Sequence, residues 1–161
     1  MPENPPLSKP SDFVPAPGVL DNTQITQVSQ GRYIAHVAVP CNDLDETARW
    51  YATVLGAQPV RILRDRVTFS VGGVLQLVCH LERRGVDPDP RAYPRHAGLT
   101  FLEKADFKRM CEHITQLGIE FLMKPQLRFA GGDHEHETFM LVDPSNNVVE
   151  FKCYVKPEFS Y

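Results

Sequence analysis

The chain contains an internal repeat, and this repeat limits the folds that are open to it. His36 begins an apolar run that leads through an acidic turn into a helix ending near Gly56, and His96 begins a second run that leads to Gly118. Each half then closes on a strand-like heptapeptide. The sequence therefore predicts two copies of one supersecondary unit, packed as a pair to bury a common core.

Composition narrows the class of protein. The chain has 161 residues, 42% of them hydrophobic, which is enough for one domain with an ordinary core. A net charge of -3 without any run of Lys and Arg argues against nucleic acid as a partner. The N-terminus lacks an apolar signal region, and the apolar stretches are strand-sized. We therefore expect a cytoplasmic protein that binds a small molecule and neither nucleic acid nor membrane.

The four cysteines give no sign of a metal or redox motif. They are scattered singly, without a C-x-x-C pair, which excludes a zinc ribbon and a dithiol motif. We expect reduced thiols that pack in the core. They are Cys41, Cys79, Cys111 and Cys153.

Domain boundaries follow from proline content and from the repeat. Residues 1–31 carry six of the fourteen prolines and are predicted to form an arm without regular structure of its own. The repeat occupies residues 32–154, with modules at 32–81 and 95–154. Residues 155–161 are predicted to be a C-terminal tail.

The first module has the pattern of a βαβββ unit. An alternating strand begins at about Tyr33, and a helix follows from about Leu44, with Asn42 or Asp43 as its N-cap. Three strand candidates come next. Gly72-Gly73 supplies the hairpin turn between the last two of them.

The second module repeats this order with one addition. A helix is predicted at 106–117, with later strands around 119–123, 138–142 and 148–154. Between the first two of these strands, residues 125–137 are expected to form an insertion with a Gly-Gly pair. The second module is therefore predicted to be βαβββ with a loop beside the site.

The repeat places metal-binding side chains at equivalent positions. His36 and His96 open equivalent strands, and Glu150 lies in the last strand. Two His and one carboxylate with open positions form the facial triad of non-haem iron oxygenases, and nearly the same set holds zinc. Strand alternation would otherwise bury these side chains, and an unpaired buried carboxylate is costly. A single such His would be interpreted as a hydrogen-bonded core residue, whereas three candidates from one repeat predict a metal site.

Gln76 occupies the position equivalent to Glu150 in the first module. It is predicted to be a fourth ligand or a partner that orients a ligand, and a buried, hydrogen-bonded Gln is the alternative. His80 lies on the same face and competes with it. His80 and its counterpart Tyr154 are candidates for lining the cavity and exchanging protons with a substrate.

The predicted insertion contains two more histidines. His134 and His136 flank acidic residues in a segment with two glycines, which suits a lid that brings an acid or base over a metal. A solvated polar loop is the alternative. With His80 and Tyr154, His136 completes our set of predicted catalytic residues.

This pattern resembles the vicinal oxygen chelate superfamily, which includes glyoxalase I, extradiol dioxygenases, fosfomycin-resistance enzymes, methylmalonyl-CoA epimerase and bleomycin-resistance proteins. The likeness covers residues 33–154. It is carried by His36-Val37-Ala38-Val39, by His96-Ala97-Gly98, and by Asp143-Pro144-Ser145-Asn146-Asn147 before Glu150-Phe151. The resemblance implies an α+β fold in which two tandem βαβββ modules form paired curved mixed sheets around a metal-lined cavity. We also expect a homodimer.

The resemblance assigns His36, His96 and Glu150 as ligands of a divalent metal, with Fe2+ the first choice and Ni2+, Zn2+, Mn2+ or Co2+ as alternatives. Extradiol dioxygenases use these three ligands and add a His and a Tyr near the metal, for which His80 or His136 and Tyr154 are the candidates.

The resemblance leaves three functions open. We expect an extradiol-type dioxygenase ahead of a glyoxalase I-like lyase or an epimerase/isomerase, because glyoxalase I has Glu at the position of Gln76. A metal-free binding or antibiotic-resistance protein is the third reading, and the retained ligands argue against it.

Overall fold

The structure is a computed structural model, and it describes residues 33–160. The predicted arm, residues 1–31, lies outside the described residues. The elements are β1 (Ala35–Cys41), α1 (Leu44–Leu55), β2 (Pro59–Ile62), β3 (Arg66–Val71), β4 (Leu75–Leu81), β5 (Ala97–Phe101), α2 (Lys104–Gln116), β6 (Met123–Arg128), β7 (His136–Val142) and β8 (Val148–Tyr154), followed by a short 3-10 helix (Pro157–Phe159).

The strands form two four-stranded sheets of matching topology. Their strand orders are β1-β4-β3-β2 and β5-β8-β7-β6. In each sheet the first pair is parallel and the other pairs are antiparallel. The predicted α+β fold of two tandem βαβββ modules is therefore confirmed. None of the helices formed by the described residues is long and apolar enough to span a membrane.

Helix α1 begins and ends as its sequence predicts. The side chain of Asp43 accepts a hydrogen bond from the backbone N–H of Glu46, which satisfies one of the free donors of the first turn. Gly56 ends the helix with φ +62°, a left-handed conformation that glycine adopts without strain. The buried side of the helix presents Tyr51 and Val54 to the core.

Strand β6 lies where the sequence predicted an insertion, and the predicted loop from 125 to 137 was wrong at both ends, since 125–128 and 136–137 are strand residues. Met123–Arg128 pairs with β7 as the edge strand of its sheet, with an irregular register between Met123 and Gln126. Pro125 is tolerated there because an edge strand has one side without a partner. The connecting loop is therefore shorter than predicted, and His136 belongs to strand β7.

Both modules bury their helices in one shared core. Phe139 stacks on Phe151 with ring centroids 4.8 Å apart, and Tyr51 packs against Phe69 at 5.3 Å. These residues belong to a single buried cluster. The helices also touch, because the His113 ring nitrogen lies 3.0 Å from the backbone oxygen of Thr53.

The turn between β7 and β8 joins the second module to the first. The buried carboxylate of Asp143 accepts hydrogen bonds from the backbone N–H of Ser145 and from the Tyr51 hydroxyl of α1, the latter at 3.1 Å. Asn147 donates to the backbone oxygen of Pro40 at 2.8 Å. Burial raises the pKa of Asp143 despite these donors.

Candidate functional site

The predicted ligands lie on the sheet faces that are turned away from the core. On β8 the core takes Phe151 and Cys153, so that Glu150, Lys152 and Tyr154 project from the opposite face. The same alternation operates on β4. We refer to this face of each sheet as the site face.

The first half-site is the pair formed by His36 and Gln76. The two residues are directly opposite each other on β1 and β4, and His36 Nδ1 lies 2.9 Å from Gln76 Oε1. The amide oxygen can only accept, so Nδ1 carries the proton and Nε2 has a free lone pair. Gln76 therefore orients the ring of His36. His36 lies on the edge strand β1 and is exposed.

The second half-site contains His96 and Glu150. His96 Nδ1 donates to the backbone oxygen of Ala92 at 2.7 Å, which leaves the lone pair of a neutral ring on Nε2. This Nε2 lies 3.3 Å from Glu150 Oε2. A neutral imidazole nitrogen and a carboxylate oxygen are both acceptors, so this arrangement is favourable only with a cation between them or with a proton on the ring. A ligating His whose other nitrogen donates to a backbone carbonyl is the usual arrangement at metal sites.

Two further side chains hold the Glu150 carboxylate. Thr138 donates to Oε1 at 2.9 Å, and Lys152 Nζ lies 3.1 Å from Oε2. Glu150 is only 6% exposed. Burial by itself raises the pKa of Glu150, but the Lys152 ammonium and the Thr138 hydroxyl, which both contact the carboxylate, lower it, and the pKa lies below its ordinary value. The carboxylate is therefore charged and oriented.

The parallel strand pairs of the two modules differ in register. His36 is opposite Gln76, whereas Gly98, two residues beyond His96, is opposite Glu150. His96 consequently reaches Glu150 diagonally. A Cβ on Gly98 would overlap the backbone carbonyl of Glu150, so only glycine permits this close approach of β5 and β8.

The predicted catalytic residues lie on the site faces, at a distance from the ligands. His136 is opposite Tyr154, with ring centroids 5.0 Å apart, and its Nδ1 donates to the backbone oxygen of His134 at 2.8 Å. Tyr154 is four residues beyond Glu150, which corresponds to about 13 Å along a strand. His80 lies equally far along β4 from the first half-site.

The structure thus brings the predicted ligands together as two pairs. Among residues 33–160, no three His, Cys, Asp or Glu side chains come together as a metal-binding group. An open groove of about 540 Å³ borders the second half-site and is lined by Ala38, Tyr93 and His96 among others. One chain therefore carries two half-sites.

Lys152 and Thr138 contact Glu150 but were not among the residues predicted from the sequence. The alternation that places Glu150 on the site face also places Lys152 there, so this residue was within reach of the same argument. Thr138 could not be found in this way, because its contact with Glu150 depends on the pairing of β7 with β8.

Comparisons with known proteins agree with this architecture. Residues 33–151 match the profile of the Glyoxalase/Bleomycin resistance protein/Dioxygenase superfamily. A protein of that description from Alicyclobacillus acidocaldarius is 43% identical in sequence, with a TM-score of 0.76 over 81% of this chain and 97% of that chain.

More distant proteins share the fold. The virulence protein STM3117 of Salmonella typhimurium is 27% identical over 123 residues, which is 76% of this chain and 84% of that protein. The fosfomycin resistance protein FosX of Listeria monocytogenes is 20% identical, with a TM-score of 0.57 over 75% of this chain and 92% of that chain.

Proposed function

Because the chain belongs to the glyoxalase/bleomycin resistance protein/dioxygenase superfamily, we propose that it is a divalent-metal enzyme whose metal chelates two vicinal oxygens of a small-molecule substrate. The ligands in this proposal are His36, His96 and Glu150. The reaction we propose is extradiol-type dioxygenation with Fe2+.

One observation carries the metal proposal. When the ring is neutral, His96 Nε2 and Glu150 Oε2 are two acceptors 3.3 Å apart, because Nδ1 of the same ring already donates to a backbone oxygen. A divalent ion would accept both lone pairs. Imidazole nitrogen and carboxylate oxygen are donors that suit Fe2+ as well as Zn2+, Ni2+, Mn2+ and Co2+, so these residues fit the metal.

The hydrogen bond between Gln76 and His36 favours a metal site with three protein ligands. Its oxygen accepts from His36, which makes it a positioning residue for that ring. A bound Fe2+ with three protein ligands would supply adjacent open positions for a diol and for dioxygen. A lyase or isomerase with four protein ligands would need Gln76 to turn away from His36.

His80, His136 and Tyr154 remain our proposed proton-exchanging residues. His136 is the strongest of the three, because it is buried and its Nδ1 donates to a backbone oxygen, which leaves Nε2 of a neutral ring to accept a proton. Its distance from Glu150 means that it would act on substrate atoms away from the metal. The substrate would therefore extend along the site face.

We further propose that a homodimer completes the site. Strands β1 and β5 each lie at one edge of their sheets, and unpaired edges favour association. His36 is exposed on one of these edges. In a symmetric dimer, the first half-site of each copy would meet the second half-site of the other copy. The dimer would then contain two complete sites. A cytoplasmic location remains our expectation, since all four cysteines are free thiols.

A mixing experiment tests the ligands and the dimer together. His36→Ala and Glu150→Ala, each alone, should lose bound metal and keep the fold. If the site is shared between copies, unfolding and refolding the two variants together should restore metal to roughly a quarter of the sites, because half of the dimers are mixed and each has one intact site. No recovery would contradict the shared site, and full metal retention in Glu150→Ala would contradict the ligand assignment.

Oxygen consumption tests the reaction. Protein loaded with Fe2+ under reducing conditions should consume oxygen when given a panel of catechols and should release yellow ring-cleavage products. If the wild type binds metal but consumes no oxygen and instead turns over a hemithioacetal or an acyl-CoA epimer, dioxygenation is wrong and a lyase or isomerase takes its place.

A further inference from the structure

The strands of both sheets are poor in negative charge. Their sequences contain five Lys or Arg and two carboxylates, Glu137 and Glu150. Glu137 is adjacent to Thr138 and so lies on the core side, where its carboxylate pairs with Lys104 of α2 at 2.8 Å. Within the described strands, Glu150 is therefore the single carboxylate on a site face.

Lys152 is the cation placed closest to the predicted metal ligands. Its Nζ lies 3.1 Å from Glu150 Oε2, the same oxygen that His96 Nε2 approaches. Its side chain is 29% exposed, so the ammonium is partly withdrawn from water. A charge in such a position interacts more strongly than one at the open surface.

Two of the other four strand cations are engaged elsewhere. Arg66 is paired with the carboxylate of Asp65 at 2.8 Å. Arg128 is opposite His136 and lies over the Phe129 ring at 5.4 Å, toward the far end of the site face. Lys152 contacts Glu150 directly, so a substrate bound beside Glu150 would lie close to its ammonium.

Charge balance then favours an anionic substrate. A divalent ion held by Glu150 would leave positive charge uncompensated beside the Lys152 ammonium, and it would compete with Lys152 for the carboxylate. On the basis of the proposed function, we infer that Lys152 selects substrates that carry an oxyanion next to the two chelating oxygens. The oxyanion is a carboxylate or a phosphonate. Lys152 acts as a point charge in this role, which suits either oxyanion.

Binding to Co2+-loaded protein tests this inference, because the visible absorption of Co2+ reports ligand binding without turnover. The probes are catechol, 2,3-dihydroxybenzoate and 2,3-dihydroxyphenylphosphonate. The wild type should bind the better oxyanion at least about tenfold more tightly than catechol, and Lys152→Met should remove most of this preference while leaving catechol affinity nearly unchanged. The ratio between carboxylate and phosphonate identifies which oxyanion is preferred.

Two further variants complete the experiment. Lys152→Arg keeps the charge and should keep most of the preference. Lys156→Met is the matched control, because Lys156 pairs with Asp133 outside the strands and should leave every affinity unchanged. Direct titration with Co2+ should show that Lys152→Met binds the metal at least as tightly as the wild type, since a competing cation has been removed.

The outcomes separate the two proposals. If the wild type does not bind Co2+, the proposed function fails and this inference fails with it. If the wild type binds Co2+ and Lys152→Met keeps the oxyanion preference, only the inference is overturned. Loss of Co2+ binding in both Lys152 variants would also overturn it, because Lys152 would then serve to hold Glu150 in place.

Discussion

The two half-sites place the same type of ligand in different chemical settings. In the first, exposed His36 meets the neutral amide of Gln76. In the second, His96 meets a buried carboxylate that Thr138 and Lys152 also contact. An internal repeat can therefore preserve the backbone and still place different chemistry in its two halves. We expect the second half-site to supply the charge that holds a metal and the first to supply one neutral ligand.

The largest expected effect tests this division. Glu150→Ala should lower metal affinity by more than about a hundredfold, whereas Gln76→Ala should lower it by about tenfold, within the range for residues that only orient a ligand. The reason is that Glu150 supplies the only negative charge among the proposed ligands. Metal titration followed by calorimetry measures both affinities, and thermal unfolding checks that each variant is folded. Equal losses would break the comparison and make Gln76 a ligand.

The register difference between the modules gives the second prediction. Gly98→Ala should lower the free energy of unfolding by about 2–3 kcal/mol, because its Cβ would force β5 away from the Glu150 backbone. Ala38 occupies the equivalent place after His36, and Ala38→Gly should cost only about 0.5–1 kcal/mol through backbone entropy. Urea denaturation measures both changes. A neutral Gly98→Ala would show that the close approach of β5 and β8 is not needed.

The junction of the modules gives the third prediction. Tyr51→Phe should destabilise the protein by about 1–2 kcal/mol at neutral pH, because the buried carboxylate of Asp143 loses a donor. Tyr93→Phe, at an exposed position, is the control and should be neutral. Urea denaturation at several pH values measures the effect.

The pH dependence of this effect has a defined sign. Burial raises the pKa of Asp143 above its ordinary value of 3.8, so the native state holds that proton more tightly than the unfolded state. Asp143 therefore favours folding most at low pH, and this contribution is lost as pH rises through the raised pKa. The cost of Tyr51→Phe should shrink at low pH, where the hydroxyl no longer faces a charged acceptor. A cost that is the same at all pH values would contradict the role of the Asp143 charge.

The smallest expected effect compares the two strand carboxylates. Glu137→Gln removes a charge that pairs with Lys104 at the protein surface, and it should change stability by less than about 0.5 kcal/mol. Metal affinity should not change, because Glu137 lies on the core side of β7. A loss of metal in this variant would show that charge anywhere on the second sheet, rather than the contact with His96, holds the ion.

Local patterns in the sequence were enough to predict the fold and to identify the candidate ligands. Strand alternation, the Asp43 N-cap, the Gly56 C-cap and the turn at 143–147 are local signals, since each depends on a few neighbouring residues. They specified both βαβββ units. Strand β6 was missed because its Lys, Pro and Gln lack a strand pattern, and only its pairing with β7 makes it a strand.

Tertiary structure decided what the local signals could not specify. His36 and His96 were expected on a buried face. His36 on the edge strand β1 is instead exposed, and the side chain of His96, just before the edge strand β5, is 25% exposed. The register of β5 against β8 brings His96 to Glu150, and the pairing of β7 with β8 brings Thr138 to the same carboxylate. Contacts between strands distant in sequence depend on register, and register is set by the packing of the whole sheet. The sequence therefore supplied the ligands, and the sheets decided which of them meet.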